Sequence, residues 1–172
     1  MSAASPHPAE HMSAEYKVRV LLVDDQLIIV EAVRRMLAAH PDIEYHYVTD
    51  PRAALATAQA LRPTVILQDL VMPGADGFDL IQDYRREPGL REVPVIVLTT
   101  KDEPKLKAHG FALGANDYLV KLPDQLELVA RIRHHSNGYI KGLKCEACQS
   151  KLAAVQAELA QARAELAALR GA

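Results

Sequence analysis

Cysteine is nearly absent from this chain. The only two, Cys145 and Cys148, are three positions apart, too close to frame a disulfide-stabilised fold, which agrees with a reducing compartment. A basic surplus is missing as well: 20 Lys and Arg stand against 22 Asp and Glu, a net charge of -2, so there is no electrostatic footprint for direct nucleic-acid binding. No stretch approaches the roughly 20 apolar residues that span a bilayer, which argues against membrane insertion. The N-terminus also lacks the basic region and apolar core of a secretory signal. These absences point to the cytoplasm. What is present suits one globular domain with a sizeable core and something extra: 172 residues, 49% hydrophobic and 24% charged.

Residues 1–16 carry Ser, Ala, Pro and His without periodicity and read as a disordered leader. From Lys17 short apolar runs alternate with helical patterns. Val18 to Val23 is a strand that ends in Asp24-Asp25. Gln26 to Ala39 places Leu27, Val30, Val33, Arg34 and Leu37 at helical spacing before His40-Pro41 stops it. Glu44 to Val48 is the next strand, and Asp50-Pro51 opens a helix over 52–61. Thr64 to Gln68 is a strand that delivers Asp69 to its carboxyl end, where Met72-Pro73-Gly74 turns the chain. A helix over Gly77 to Arg86 follows, with Phe78, Ile81 and Tyr84 on one side. Val93 to Leu98 is a strand ending in Thr99-Thr100, Glu103 to Leu113 a weakly amphipathic helix ending at Gly114, and Asp117 to Val120 a last strand ending in Lys121. Five apolar strands alternating with five helices predict an α/β fold, a doubly wound parallel sheet with right-handed crossovers.

In such a sheet Asp24, Asp25, Asp69, Thr99 and Lys121 all emerge at one edge, where open α/β sheets keep their chemistry. Three carboxylates sharing a cleft repel one another and call for a cation. Mg²⁺ suits them, because it takes a few oxygen ligands and keeps waters that a phosphate can replace. Lys121 adds a positive charge able to pair with Asp69 or with a phosphoryl oxygen, and Thr99 a hydroxyl for the same oxygens. The set fits in-line phosphoryl transfer to a carboxylate, with Asp69 as nucleophile. Taken singly, each residue also has a plain reading, as a turn cap, a solvated charge or a local hydrogen-bond partner.

The order Asp24-Asp25, Asp69 before Met72-Pro73-Gly74-Ala75-Asp76-Gly77, Thr99, then Asn116 to Lys121 resembles the receiver domain of two-component response regulators, over Val18 to about His135. The resemblance implies the five-stranded, flavodoxin-like (βα)5 fold. It makes Asp69 the phosphoacceptor for a sensor histidine kinase and assigns Mg²⁺ to Asp25 directly, Asp24 in part through water, Asp69, and the backbone carbonyl of Val71. Thr99 becomes the switch hydroxyl and Tyr118 an aromatic switch that turns inward when Thr99 engages the phosphoryl group. Side chains at Val71 and Lys101 are expected to affect the lifetime of the phosphate. The chain departs from the family at Lys121-Leu122-Pro123, where one residue separates the lysine from a proline that usually follows it through a cis bond; Lys121 is still expected to reach the site. Leu67 to Gly74 with Val120-Lys121-Leu122-Pro123-Asp124 looks most like the Wsp-type regulators that carry a diguanylate cyclase output. The Gly-Gly-Asp/Glu-Glu-Phe signature of that cyclase does not occur here, so no output enzyme is assigned to these residues. A haloacid-dehalogenase-type phosphatase is disfavoured because Val71 stands where those enzymes need an acid.

Beyond Asp124, a helix cap, Leu126, Val129, Ile132 and His135 or Ser136 recur at helical spacing. Residues 17–136 form the expected receiver and 137–172 a helical extension. In the extension Leu152, Val155, Leu159, Ala162, Leu166 and Leu169 alternate in steps of three and four, a heptad seam. That register puts Cys145 at an a position and Cys148 at a d position, whereas the stripe Ile132, Ser136, Tyr139, Leu143 runs out of phase, predicting a stutter or hinge near Gly142. Glu158 and Glu165 with Arg163 and Arg170 flank the seam and can pair between chains. A solvated single helix and a self-associating coiled coil both fit this composition. For Cys145 and Cys148, apolar packing in the seam, an interchain disulfide on oxidation, and half of a zinc site remain open. The expected function is a phosphorylation switch read out through a coiled-coil tail by dimerisation or higher assembly; the alternative is the regulatory half of a diguanylate cyclase.

Overall fold

The computed structural model describes residues 17–100 and 103–170, the last four by backbone alone. The leader 1–16 and Lys101 lie outside the described residues, as do the side chains of Leu169 and Arg170.

The apolar runs become strands where the sequence places them. These are β1 (Val18–Val23), β2 (Ile43–Val48), β3 (Val65–Gln68), β6 (Val95–Thr99) and β7 (Asp117–Val120), with β4 (Val71–Met72) and β5 (Ala75–Asp76) making a small hairpin of their own. The five-stranded sheet is parallel throughout, in the order β2-β1-β3-β6-β7. The helices are α1 (Leu27–Leu37), α2 (Ala54–Leu61, after a 3-10 turn Pro51–Ala53), α3 (Gly77–Arg86), α4 (Pro104–Ala112) and α5 (Gln125–Arg170). No helix among the described residues is long and apolar enough to cross a membrane.

Alternation along the strands sends side chains to opposite faces. Val20, Leu22, Val65, Leu67, Ile96, Leu98 and Leu119 face a layer built from α1 (Ile29, Val30, Val33, Leu37) and α5 (Leu128, Val129, Ile132). Leu21, Val23, Ile66, Val95 and Val97 face Ala54 and Ala58 of α2 and Ile81 and Tyr84 of α3. The inner strands β3 and β6 are buried along their whole length, which is why they read as unbroken apolar runs.

Two helix phases differ from the sequence expectation. In α1 Leu27 is exposed and Ile29 takes its core position; in α5 Leu126 is 79% exposed while Leu128 is fully buried. Both stretches hold several apolar residues in close succession, Leu27-Ile28-Ile29-Val30 and Leu126, Leu128, Val129, so spacing alone does not decide which of them faces the sheet. Ser136, not His135, completes the buried stripe of α5, and its hydroxyl meets Thr64 Oγ1 at 3.1 Å. Asp50 and Asp124 cap as expected, accepting from the N–H of Arg52 and of Leu126.

The chain divides into two compact units, Met1–Tyr139 and Ile140–Ala172. The residues Gly138 and Gly142 both lie within the helix α5. Within the second unit Leu152, Val155, Leu159 and Leu166 are all exposed.

Candidate functional site

The strand order reverses between β1 and β3: the chain leaves β1 toward β2 on one side and returns to build β3, β6 and β7 on the other. A crevice opens at such a switch point, beyond the carboxyl ends of the strands. Asp24 and Asp25 leave β1 there, Asp69 leaves β3, Thr99 closes β6 and Lys121 follows β7. Backbone bonds tie these ends together: Asp69 N–H donates to the Val23 carbonyl at 2.9 Å and Lys121 N–H to the Thr99 carbonyl at 2.8 Å.

Carboxylate oxygens of Asp24, Asp25 and Asp69 all lie within 4.8 Å of one another. Lys121 Nζ sits 2.7 Å from Asp24 Oδ2 and 2.9 Å from Asp69 Oδ2, and its side chain is only 3% exposed. The sequence expected Lys121 beside Asp69; here one ammonium serves two carboxylates. Asp24 and Asp69 each also accept a backbone N–H on Oδ1, from Gln26 at 2.9 Å and from Val71 at 3.3 Å. Burial pushes the Asp24 carboxyl above its ordinary value, and the Lys121 hydrogen bond only partly counters it. Asp25 Oδ1 is buried with no hydrogen-bond partner among the described residues. An oxygen-only donor set, short of positive charge and with an orphaned carboxylate oxygen, fits a hard divalent cation such as Mg²⁺.

Thr99 is buried at the carboxyl end of β6, and Tyr118 is buried on β7 with Lys107 Nζ 5.5 Å from its ring centroid. The peptide bond Lys121–Leu122 is cis, directly after the lysine as in the family pattern, with leucine standing where the family has proline. Val71 opens the β4–β5 hairpin, whose Pro73-Gly74 loop puts Gly74 in the left-handed region at φ 74°. Cys145 and Cys148 take no part in the cluster; both are exposed on α5.

Sequence reasoning missed the residues that hold the Asp69 peptide in place. Gln68 is fully buried; its Nε2 donates to the Asp69 carbonyl oxygen at 2.8 Å, and its Oε1 accepts from Tyr84 Oη at 3.0 Å. From the other side α3 begins at Gly77, where a Cβ would collide with that same carbonyl oxygen, so only glycine permits the approach. The signal was present as one amide ending an apolar strand immediately before an acid. Asp117, read only as the start of β7, is a second case: it accepts both Arg131 Nη1 (2.7 and 2.8 Å) and His135 Nε2 (2.9 Å) from α5.

Comparison with known proteins bears on this geometry. The sequence profile of the response regulator receiver domain matches residues 20–133. Over 118 residues the chain is 38% identical to the response regulator PleD of Caulobacter vibrioides, covering 67% of this chain and 25% of that protein. Over 116 residues it is 36% identical to the DNA-binding dual master transcriptional regulator RpaA of Synechocystis, covering 67% and 47%. Among solved structures it is similar to the chemotaxis protein CheY4 of Vibrio cholerae, with a TM-score of 0.64 and 33% identity over 69% of this chain and 98% of that one. It is also similar to the receiver domain of a Pseudomonas aeruginosa sensor histidine kinase with magnesium in its active-site cleft, at a TM-score of 0.64 and 26% identity over 70% and 98%. The matched region thus spans about a quarter to a half of the length of these curated relatives.

Proposed function

This chain belongs to the response regulator receiver family, and from that membership we propose that Asp69 accepts a phosphoryl group from a sensor histidine kinase and that the tail passes the change on. The observation that carries the proposal is the gathering of three carboxylates within 4.8 Å around one buried lysine at the sheet's switch point.

Asp24, Asp25, Asp69 and the Val71 carbonyl would hold the magnesium ion. When bound, it neutralises the carboxylate charge and offers exchangeable positions to phosphoryl oxygens. An Asp69 carboxylate oxygen forms the new bond to phosphorus while the phosphorus–nitrogen bond of the donor phosphohistidine breaks, its electron pair leaving with the imidazole nitrogen. Lys121 turns from the Asp69 carboxylate to the charge of the phosphoryl oxygens, Thr99 donates its hydroxyl to them, and Tyr118 follows Thr99. The chain catalyses only its own phosphorylation and dephosphorylation.

Phosphorylation shifts a pre-existing equilibrium only by what it binds differently in the two states, here Lys121 and Thr99. The shift reaches a second copy through the heptad seam of α5, as dimerisation or higher assembly. Light scattering with an acyl-phosphate donor and Mg²⁺ tests this: the mass of the wild type rises and that of Asp69→Asn does not. Confirmed phosphorylation with an unchanged mass would refute tail-coupled output. The regulatory half of a diguanylate cyclase is the second reading, which rests on the resemblance of Leu67 to Gly74 and of Val120 to Asp124 to regulators with that output. Coding sequence for a Gly-Gly-Asp/Glu-Glu-Phe domain downstream of Ala172 would establish it.

A further inference from the structure

Phosphoryl transfer makes no use of Cys145 and Cys148. Both lie in the unit Ile140–Ala172, both are exposed, and neither is in a disulfide. Residues three apart on a helix share a face, so the two thiols form one dithiol on one side of α5. The same side continues into the heptad seam, whose Leu152, Val155, Leu159 and Leu166 are 57, 60, 50 and 56% exposed. The heptad stripe from Leu152 to Leu166 is therefore open.

A second copy of the chain is the occupant its chemistry fits. In a parallel, in-register pair a residues meet a and d residues meet d, and each g residue falls near the e residue of the next heptad on the partner helix. That places Glu158 of one copy opposite Arg163 of the other, an attractive pairing repeated by symmetry. It also places both cysteines of each copy in the seam. Every other a position in the seam, 152, 159 and 166, is leucine, and Cys145 alone departs from it.

We propose that Cys145 and Cys148 of two copies together form a four-thiolate site for a tetrahedral divalent cation of the zinc class, fastening the leading end of the coiled coil. The inference rests on the dimer proposed above. Successive a and d layers are about 4.5 Å apart along a helix rising 1.5 Å per residue. Tetrahedral zinc with bonds of about 2.3 Å needs sulfurs about 3.8 Å apart, somewhat less than the layer separation, so the a and d thiols lean toward one another through their χ1 rotamers. On binding, the four thiols give their protons to solvent and become thiolates, leaving a site of charge -2 flanked by Lys144 and Lys151 at the g positions of each copy. With four protein ligands the coordination is closed, so the ion is structural and turns over no substrate.

The test uses the full 172-residue chain, freed of transition metal and kept reduced with a phosphine, in excess Mg²⁺ so that the acidic cluster is filled, and with an acyl-phosphate donor so that the proposed dimer is formed. Titration with Co²⁺ is expected to give thiolate-to-metal charge-transfer bands and intense d–d bands that saturate at one ion per two chains, and Zn²⁺ to bleach them. Sedimentation should show Zn²⁺ tightening the dimer about tenfold or more, the mass-action result of binding only the dimer. The double variant Cys145→Ser with Cys148→Ser should lose the bands and the zinc effect, while keeping the metal-free dimer and phosphorylation by an acyl-phosphate donor. A metal-free dimer without thiolate bands, or saturation at one ion per chain without tightening, overturns the zinc site and leaves the dimer standing. A chain that stays monomeric under every condition overturns both.

Discussion

Replacing Gln68 by leucine tests whether the peptide of Asp69 is held by its neighbours. The side chain is fully buried and satisfied at both ends, so leucine, of similar size, deletes two hydrogen bonds and leaves two polar atoms stranded, the Asp69 carbonyl oxygen and Tyr84 Oη. Burial holds the Tyr84 phenol far above its ordinary value, with Asp83 adding to the effect, so it remains a donor at any working pH and cannot escape the loss by ionising. Each of the two stranded buried groups costs about 1–3 kcal/mol, and the extra apolar surface of leucine offsets about 1 kcal/mol, for a net loss of about 1–5 kcal/mol. Tyr84→Phe strands only Gln68 Oε1 and should cost about 1–2 kcal/mol. In the double variant both ends of the Tyr84–Gln68 bond are gone. Its cost should therefore fall short of the sum of the singles by about 1 kcal/mol. Urea unfolding reads these as midpoint shifts at constant slope. A second readout is the rate of Asp69 phosphorylation at saturating Mg²⁺, which should drop in Gln68→Leu and stay closer to wild type in Tyr84→Phe. Stability within about 0.5 kcal/mol of wild type for Gln68→Leu, with additive singles, would show that the clamp contributes nothing.

Magnesium should stabilise the fold by about 1.4 kcal/mol at ten times its Kd, seen as a higher unfolding midpoint, and Asp24→Asn should remove that gain while making the metal-free protein about 0.5–2 kcal/mol more stable. An Asn variant less stable than metal-free wild type would contradict the burial strain assigned to Asp24. For Asp117, burial alone would raise the carboxyl, but the hydrogen bonds from Arg131 and His135 outweigh it and hold the group below its ordinary 3.8. A lowered folded value means that this stabilisation is complete above the unfolded value and is lost as pH falls through the folded one, so Asp117→Asn should cost about 1 kcal/mol at pH 7 and flatten the acid limb below about pH 4. Equal acid limbs in thermal melts would refute it. Leu128→Ala should cost about 2–5 kcal/mol and Leu126→Ala less than about 0.5 kcal/mol in the same unfolding experiment, and the reverse order would overturn the phase of α5.

Strands were the most legible part of this sequence. A parallel sheet covered on both faces makes each inner strand an apolar run, and Asp, Gly and Pro punctuate those runs, so β3 and β6 are found within a residue or two of their bounds. The acids at strand ends were legible for a related reason: a charge that closes an apolar run stands out. Helix phase was not, because a stretch such as Leu27-Ile28-Ile29-Val30 offers apolar residues on most of its circumference and only packing chooses among them. The β4–β5 hairpin, two residues a strand, is too short for any period to show. Gln68, Tyr84 and Gly77 escaped because their roles rest on contacts across the fold, and neighbours in space carry no mark in a linear pattern. Asp117 escaped likewise: its partners lie 14 and 18 positions downstream.

Arg131, Arg133, His135 and Ser136 tie α5 to Asp117, Asp42 and Thr64, four anchors within six residues of helix. Anchors so concentrated make the grip local, and the grip is blind to whatever sequence the helix goes on to carry. Such a receiver behaves as an interchangeable socket. Whole heptads can be added to the seam, or a different payload spliced on in helical phase, without rewriting a contact of the fold, whereas a single inserted residue turns all that follows by about 100°. Diversification in such a lineage would be expected to proceed by exchanging what is plugged in.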